Sequence, residues 1–402
     1  MRRVVITGMG IWSSIGQDVQ TVTESLKQGR SGIVFDPKRI EYGLQSGFVG
    51  SVPRPDLKPL LSRKTRQTMS EDAEYAYMAV RQAFDHAGIS DEYLRQNEVG
   101  VIWGSDGNSH QQEYGKIMEE ERCSALIGYN AAFRSSPSSA VINLSSIFPL
   151  RGVNMTINAA CAGSMHAMGV ASMFIQNGLQ DIILVGGSDE LSPSGIPIIL
   201  VDSLSTIHAP MDVCLFDKNA AGNVATGGAA ALIVEEYEHA RARGANILAE
   251  ISGYGFASGQ GAEIYLPDWQ AEYQSMKRAL DNANMSISSI SCIIARTDGH
   301  PVSDQSDALA LTALCEERDI PITATDSITG HGDAISGTAR TIYGLLMMQN
   351  DFIAPTVNLR NVIDEAQNLN IIRQMQNFSI DRMLISAGGT GGTYSAIILK
   401  KV

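Results

Sequence analysis

The chain has 402 residues, 44% hydrophobic and 18% charged, which is long enough to bury a large core or two. Its formal charge of −13 repels phosphate on average, which excludes a general nucleic-acid binder and leaves any acidic partner to a local basic patch. Five scattered cysteines (Cys123, Cys161, Cys214, Cys292, Cys315), with no CxxC and no Cys/His metal spacing, exclude a disulfide framework and fit a reducing compartment.

From the N-terminus, Arg3–Thr7 is predicted to be a buried strand, followed by a turn at Gly8 and Gly10. Basic residues ahead of an apolar run resemble a secretion signal, but the run is too short. TGMGIWSS nearly matches a dinucleotide fingerprint, yet Ser13 stands where the third glycine belongs, so it is set aside. Periodicity then predicts a helix over Ala73–Ala87, strands at Val99–Trp103 and Thr156–Ala159, a helix over Gly163–Gln176 and a strand at Asp181–Val185. The charged stretch Glu235–Arg243 reads as a crossing between two halves. Beyond it come strand Ile247–Ile251, helix Ser275–Asn284, strand Cys292–Ala295, helix Ser306–Glu317, strand Ile322–Thr325 and helix Ala334–Met348. Arg382–Ser386 and Tyr394–Lys400, joined by AGGTGG, read as a closing hairpin. Alternation of this kind argues for a layered α/β fold. No run of about twenty apolar residues exists, so a soluble cytoplasmic protein is expected.

Two segments echo each other. NMTINAACAGSMHAMGVASMF and ITATDSITGHGDAISGTARTIYGLL each pass from a short strand into a helix rich in small residues, with Cys161 or His331 at the turn. A thiol at a helix start feels a partial positive charge that favours the nucleophilic thiolate. Small neighbours leave room for a substrate carbonyl to reach the Cys161 N–H. An imidazole such as His331 can donate from one nitrogen while the other is held. The turn Gly388–Thr393 brings backbone N–H groups close to a ligand. Read alone, a lone cysteine is as readily a core residue, a lone histidine a structural one, and a glycine-rich hairpin a conformational device. GxSxG, the nucleophile elbow of α/β-hydrolases, is absent.

Together, INAACAGSMH, TDSITGHGDAISG and GGTGGT resemble the active-site segments of β-ketoacyl-carrier-protein synthases. The resemblance runs end to end, from VVITGMGIWSSIG through LFDKNAAGNVATGGAAALIVEE. It implies the thiolase fold, a five-layered α-β-α-β-α arrangement of two related halves, here 1–240 with Cys161 and 241–402 with His331. It also implies a dimer and an acyl carrier protein as partner, with no cofactor, metal, nucleic acid or membrane. In the family the cysteine accepts an acyl chain and two histidines assist decarboxylation of a malonyl unit.

The resemblance maps the cysteine onto Cys161 and the second histidine onto His331, with Cys161 and Thr390 at the oxyanion positions. Elsewhere the chain departs from the pattern. Arg296 stands at the first histidine, His300 at a pantetheine-contacting threonine, Asp326 at a lysine, Asp307 at a glutamate, and Thr390 and Gly388 at two gate phenylalanines. Ala220–Asn223 replaces RDGF. Arginine stays protonated and cannot shuttle a proton. The departures therefore point first to a chain-length-factor-like partner of an intact ketosynthase in type II polyketide or fatty acid elongation. The alternative is an active synthase working through Cys161 and His331. Arg296 is expected to pair with Asp326 and plug the malonyl site, and Cys161 to be reactive because the helix start lowers its pKa. Arg63, Lys64 and Arg66 are expected to dock the carrier protein. Strand Asn154–Ala159 is expected at the dimer interface, and Asn108, Gln111, Gln112 and Tyr114 at the end of the neighbouring acyl tunnel.

Overall fold

In the computed structural model, which describes residues 1–193, 195, 205–209, 212–259 and 266–402, the first strand β1 (Val4–Trp12) runs straight through both glycines of TGMG. The reason is packing. Helix α1 (Glu71–His86) crosses β1 so closely that a Cβ at Gly10 would stand 2.7 Å from the Ala83 nitrogen, and one at Gly8 2.7 Å from the Ala87 Cβ. The expected turn is therefore a continuous strand with a register shift between Ile6 and Gly8. The glycines admit a helix rather than a nucleotide.

Further along the chain come β2 (Gly100–Gly104), α2 (Ser139–Ile147), β3 (Asn154–Ile157), α3 (Gly163–Gln176), β4 (Ile182–Asp189) and β5 (Gly228–Glu236). After a short helix at Tyr237–Ala242 follow β6 (Ala249–Ser258), α4 (Trp269–Asn282), β7 (Cys292–Ile294), α5 (Pro301–Cys315) and β8 (Pro321–Thr323). The chain ends with α6 (Ser336–Gln349), β9 (Asn370–Ile371), β10 (Arg382–Gly388) and β11 (Thr393–Lys400). Two helices begin earlier than periodicity suggests, for local reasons. Asp268 caps α4 by accepting the Gln270 and Ala271 N–H groups, and Pro301 opens α5 where a missing N–H costs nothing. Strand β5 escapes a propensity reading because it starts Gly-Ala-Ala-Ala, yet all nine residues are buried.

These strands form one eleven-stranded sheet in the order β9-β8-β7-β10-β11-β6-β1-β5-β4-β2-β3. From β3 the pairings run parallel to β2 and β4, then antiparallel to β5 and β1. From β8 they run parallel to β7 and β10, then antiparallel to β11 and β6. The two arms are the same motif twice, joined where β1 meets β6 at Val5↔Glu250 and Ile6↔Ala249. Side chains from both arms share one core with α3 and α6, among them Val185 and Leu232 with Ile385 and Ile397. A second core puts α1 and α2 outside the first arm, and a third puts α4 and α5 outside the second. The result is helix, sheet, helix, sheet, helix, the layered two-half arrangement that the resemblance implies. Among the described residues no helix is long and apolar enough to cross a membrane.

Candidate active site

The duplication brings Cys161 and His331 face to face. Strand β3 leads to a one-turn 3₁₀ segment, Ala160–Ala162, and then α3; β8 leads past His331 to Asp333–Ile335 and then α6. Each segment begins in the left-handed region, Ala160 at φ 47° and Asp333 at φ 42°, a strain that surrounding packing must hold. That packing is close. A Cβ on Gly337 would stand 2.6 Å from the Met165 Cβ, and the Thr338 N–H donates to Ser164 Oγ at 3.1 Å. Cys161 Sγ then lies 3.0 Å from His331 Nε2, with the two residues only 1% and 3% exposed.

A carboxylate completes the line. His331 Nδ1 faces Asp326 Oδ2 at 3.0 Å, so the imidazole presents Nε2 to the thiol. Asp326 is in turn clamped by the Arg340 guanidinium, with Nη2 at 2.7 Å from Oδ2 and Nε at 3.3 Å from Oδ1. Burial pulls the His331 pKa down, but negative charge on Cys161 and the Asp326 hydrogen bond outweigh it, leaving the ring well above its ordinary value. Cys161 departs from expectation. Burial pushes its thiol up, with Asp333 and Asp106 adding to the rise and His331 opposing it. Complete burial outweighs the helix start, and the base within reach of the thiol is the imidazole 3.0 Å away.

More acid surrounds the couple than the sequence suggests. Asp333 Oδ1 lies 3.5 Å from Sγ and 3.6 Å from His331 Nε2, and Thr390 Oγ1 is 3.9 Å from Sγ on the open side. Asp106, just beyond β2, accepts from the Ala160 N–H, and burial raises its carboxyl to about 7. Asp189 closes β4 with one carboxylate oxygen buried and unpartnered. Cys161, His331 and Asp333 place their donor atoms within 4.8 Å of one another, a spacing a cation could bridge, although hydrogen bonding already links the thiol to both neighbours.

The expected Arg296–Asp326 pair does not form. Arg296 contacts Asp307 and Glu272 (Nε to Oε2, 3.3 Å), donates to Ser303 Oγ at 3.1 Å, and lies over the Tyr394 ring. Arg340 separates the two residues, binding the Asp326 side chain and donating to the Arg296 carbonyl at 2.8 Å. Arg296 and Asp307 are therefore a buried ion cluster rather than a plug. His300 caps α5, its carbonyl accepting the Asp304 N–H, and among the described residues its ring makes no hydrogen bond. Arg63 and Lys64 are exposed on a short helix capped by Ser62, with Arg66 folded back onto the Leu61 carbonyl. Asn108 donates to the Arg134 carbonyl at 2.8 Å, Tyr114 stacks on His110, and Gln111 and Gln112 are exposed. Sequence reasoning assigned nothing to Asp333, Asp106, Asp189, Arg340 or Glu272. Arg340 and Glu272 had a usable signal, since a charge on a helix face of otherwise apolar residues requires a buried partner.

Residues 1–240 match the beta-ketoacyl synthase N-terminal domain and residues 248–360 the beta-ketoacyl synthase C-terminal domain. The chain belongs to the beta-ketoacyl synthase family. It is 35% identical to 3-oxoacyl-[acyl-carrier-protein] synthase 1 of Escherichia coli (strain K12), over 100% of both chains. A beta-ketoacyl synthase from Burkholderia phymatum STM815 superposes with a TM-score of 0.94 at 28% identity, covering 100% of both chains. The ishigamide ketosynthase/chain length factor superposes at 0.92 with 25% identity, covering 100% of this chain and 99% of that one.

Proposed function

We propose that this member of the family is itself a condensing enzyme, a β-ketoacyl-carrier-protein synthase that transfers an acyl group to Cys161 and extends it with a malonyl unit. The observation that supports this is the hydrogen-bonded line Cys161–His331–Asp326, with both links at 3.0 Å. A thiol, an imidazole and an orienting carboxylate in this order make a base-activated nucleophile. His331 takes the thiol proton as Sγ attacks the acyl thioester, and returns it to the departing carrier thiolate. The Cys161 and Thr390 N–H groups serve the oxyanion. Arg63, Lys64 and Arg66 form the basic patch for the acidic carrier protein. The likeness to a synthase named for acyl carrier protein supports the same reading.

The second reading, a chain-length-factor-like subunit, is favoured by Arg296. Its guanidinium, 1% exposed and held by Glu272 and Asp307, leaves the site one imidazole short of the family pattern. In that case Asn108, Gln111, Gln112 and Tyr114 would limit chain length in a neighbouring ketosynthase, as the likeness to a ketosynthase/chain length factor suggests. Incubation with acyl-carrier protein and then malonyl-carrier protein separates the two. The first reading expects an acyl adduct on Cys161 and β-ketoacyl product from this chain alone. Product only with an intact ketosynthase present, unaffected by Cys161→Ala, would favour the second.

A further inference from the structure

His331 cannot serve every step alone. Asp326 holds the Nδ1 proton, so once the ring has given up its second proton it offers only a lone pair at Nε2. Acylation of Cys161 removes the thiolate charge that helps keep a second proton on the ring. Decarboxylation of a malonyl thioester then places negative charge on the thioester oxygen, which needs hydrogen-bond donors. Arg296 is turned to Glu272 and Asp307, and Arg340 to Asp326, so neither guanidinium supplies one. Among the described residues, the carboxyl hydrogen-bonded to the reacting sulfur is that of Asp333, 3.5 Å from Sγ.

We propose that Asp333 is a catalytic residue of the condensation, its carboxylic acid group donating a hydrogen bond to the malonyl thioester oxygen as the enolate forms. This rests on the condensing reading above. The C–C bond to the carboxylate breaks, its electron pair enters the thioester as the enolate, and CO₂ leaves. The enolate carbon attacks the acyl carbonyl on Cys161, and the C–S bond breaks with its pair on Sγ. The thiolate then takes one proton from solvent through His331. Asp333 keeps its proton throughout, as a buried acid kept neutral among apolar groups and like charges can. The groups around it favour that state. Asp106 lies beyond β2, Asp189 ends β4, Asp298 precedes α5 and Asp326 precedes α6; against these carboxyls stands His331, with the Cys161 thiol. Burial comes first in raising the Asp333 carboxyl, with Asp298 and Asp326 adding to it and His331 opposing.

The test measures two partial reactions: acyl adduct on Cys161 by intact mass, and CO₂ release from malonyl-carrier protein. In Asp333→Ala, decarboxylation should fall about a hundredfold or more beyond any fall in acylation, the scale of one lost oxyanion donor. Asp333→Asn keeps an N–H donor and tolerates the left-handed backbone, so it should stay within about tenfold of wild type. Wild-type decarboxylation should decline on the alkaline side as Asp333 loses its proton, and Asp333→Asn should abolish that decline. If Asp333→Ala melts early, this pH comparison reads the same group. Equal losses in both partial reactions, or an alkaline limb unchanged in Asp333→Asn, would overturn the proposal. Acylation without decarboxylation in the wild type would overturn it while leaving acyl transfer standing. Neither reaction in the wild type would remove both.

Discussion

At the scale of single residues, the site is governed by which carboxylate meets which cation. Asp326 orients His331 through Nδ1 and is held by Arg340. Asp326→Asn keeps the shape but presents a neutral group that can stabilise the other tautomer. Acyl transfer to Cys161 should fall by about a thousandfold or more, measured as the single-turnover acylation rate. Arg296 answers to different partners. Arg296→His would leave Glu272 and Asp307 buried against a shorter, weaker cation and should destabilise the fold by about 3–5 kcal/mol in urea denaturation. It should raise no activity above that of the wild type, because a ring in that ion cluster is not directed at Cys161. Replacing Arg296, Glu272 and Asp307 together by apolar residues of similar volume should cost far less.

At the scale of elements, two strand–turn–helix units pack helix to helix and thereby set the thiol–imidazole distance. Gly337→Ala would drive α6 off α3, since the new methyl meets Met165 Cβ at 2.6 Å and Met165 N at 2.7 Å. The expected cost is about 1–3 kcal/mol, read as a lower melting temperature, together with slower acylation of Cys161. Much of this level was legible in the sequence. Gly163–Gln176 forms a helix with the bounds periodicity gave, the closing hairpin pairs as expected, and the echo around Cys161 and His331 is the duplicated arm itself. Other features were not, for identifiable reasons. The β1 glycines look like a turn until α1 is seen lying on them, and the β5 alanines lack strand propensity until both faces are buried. Arg296 next to Asp326 was inferred from motif positions, which carry no information about Arg340 standing between them. The thiol shift was judged from the helix start alone, whereas burial dominates it.

At the scale of the molecule, the chain buries several acids. Burial raises Asp72 to about 6 and Asp106 and Glu190 to about 7, against about 4 in an unfolded chain. Between those values the folded state binds more protons than the unfolded one, so stability falls as pH rises from about 4 to about 7. His331, also raised, acts in the same direction. Glu235 and Glu250 are held below their ordinary values by His239 with Arg243 and by Arg3 respectively, so their contribution is lost in stronger acid. Stability should therefore peak at roughly pH 4–5, and the urea midpoint at pH 8 should lie below that at pH 6.

Among the described residues, strand β3 is the last strand of the sheet, bonded to β2 on one side only, with Asn154 exposed and the other three residues half-buried. Such an edge offers a row of backbone groups to another strand. Four residues after its end comes Cys161, so whatever pairs along β3 also braces the strained turn at Ala160. Assembly and chemistry would then share one mechanical support. If β3 pairs with another chain, activity per molecule should decline on dilution while the circular dichroism spectrum stays constant, because the edge loses its neighbour before the chain loses its fold. Constant specific activity across a thousandfold dilution that splits the assembly would show that the turn stands unaided.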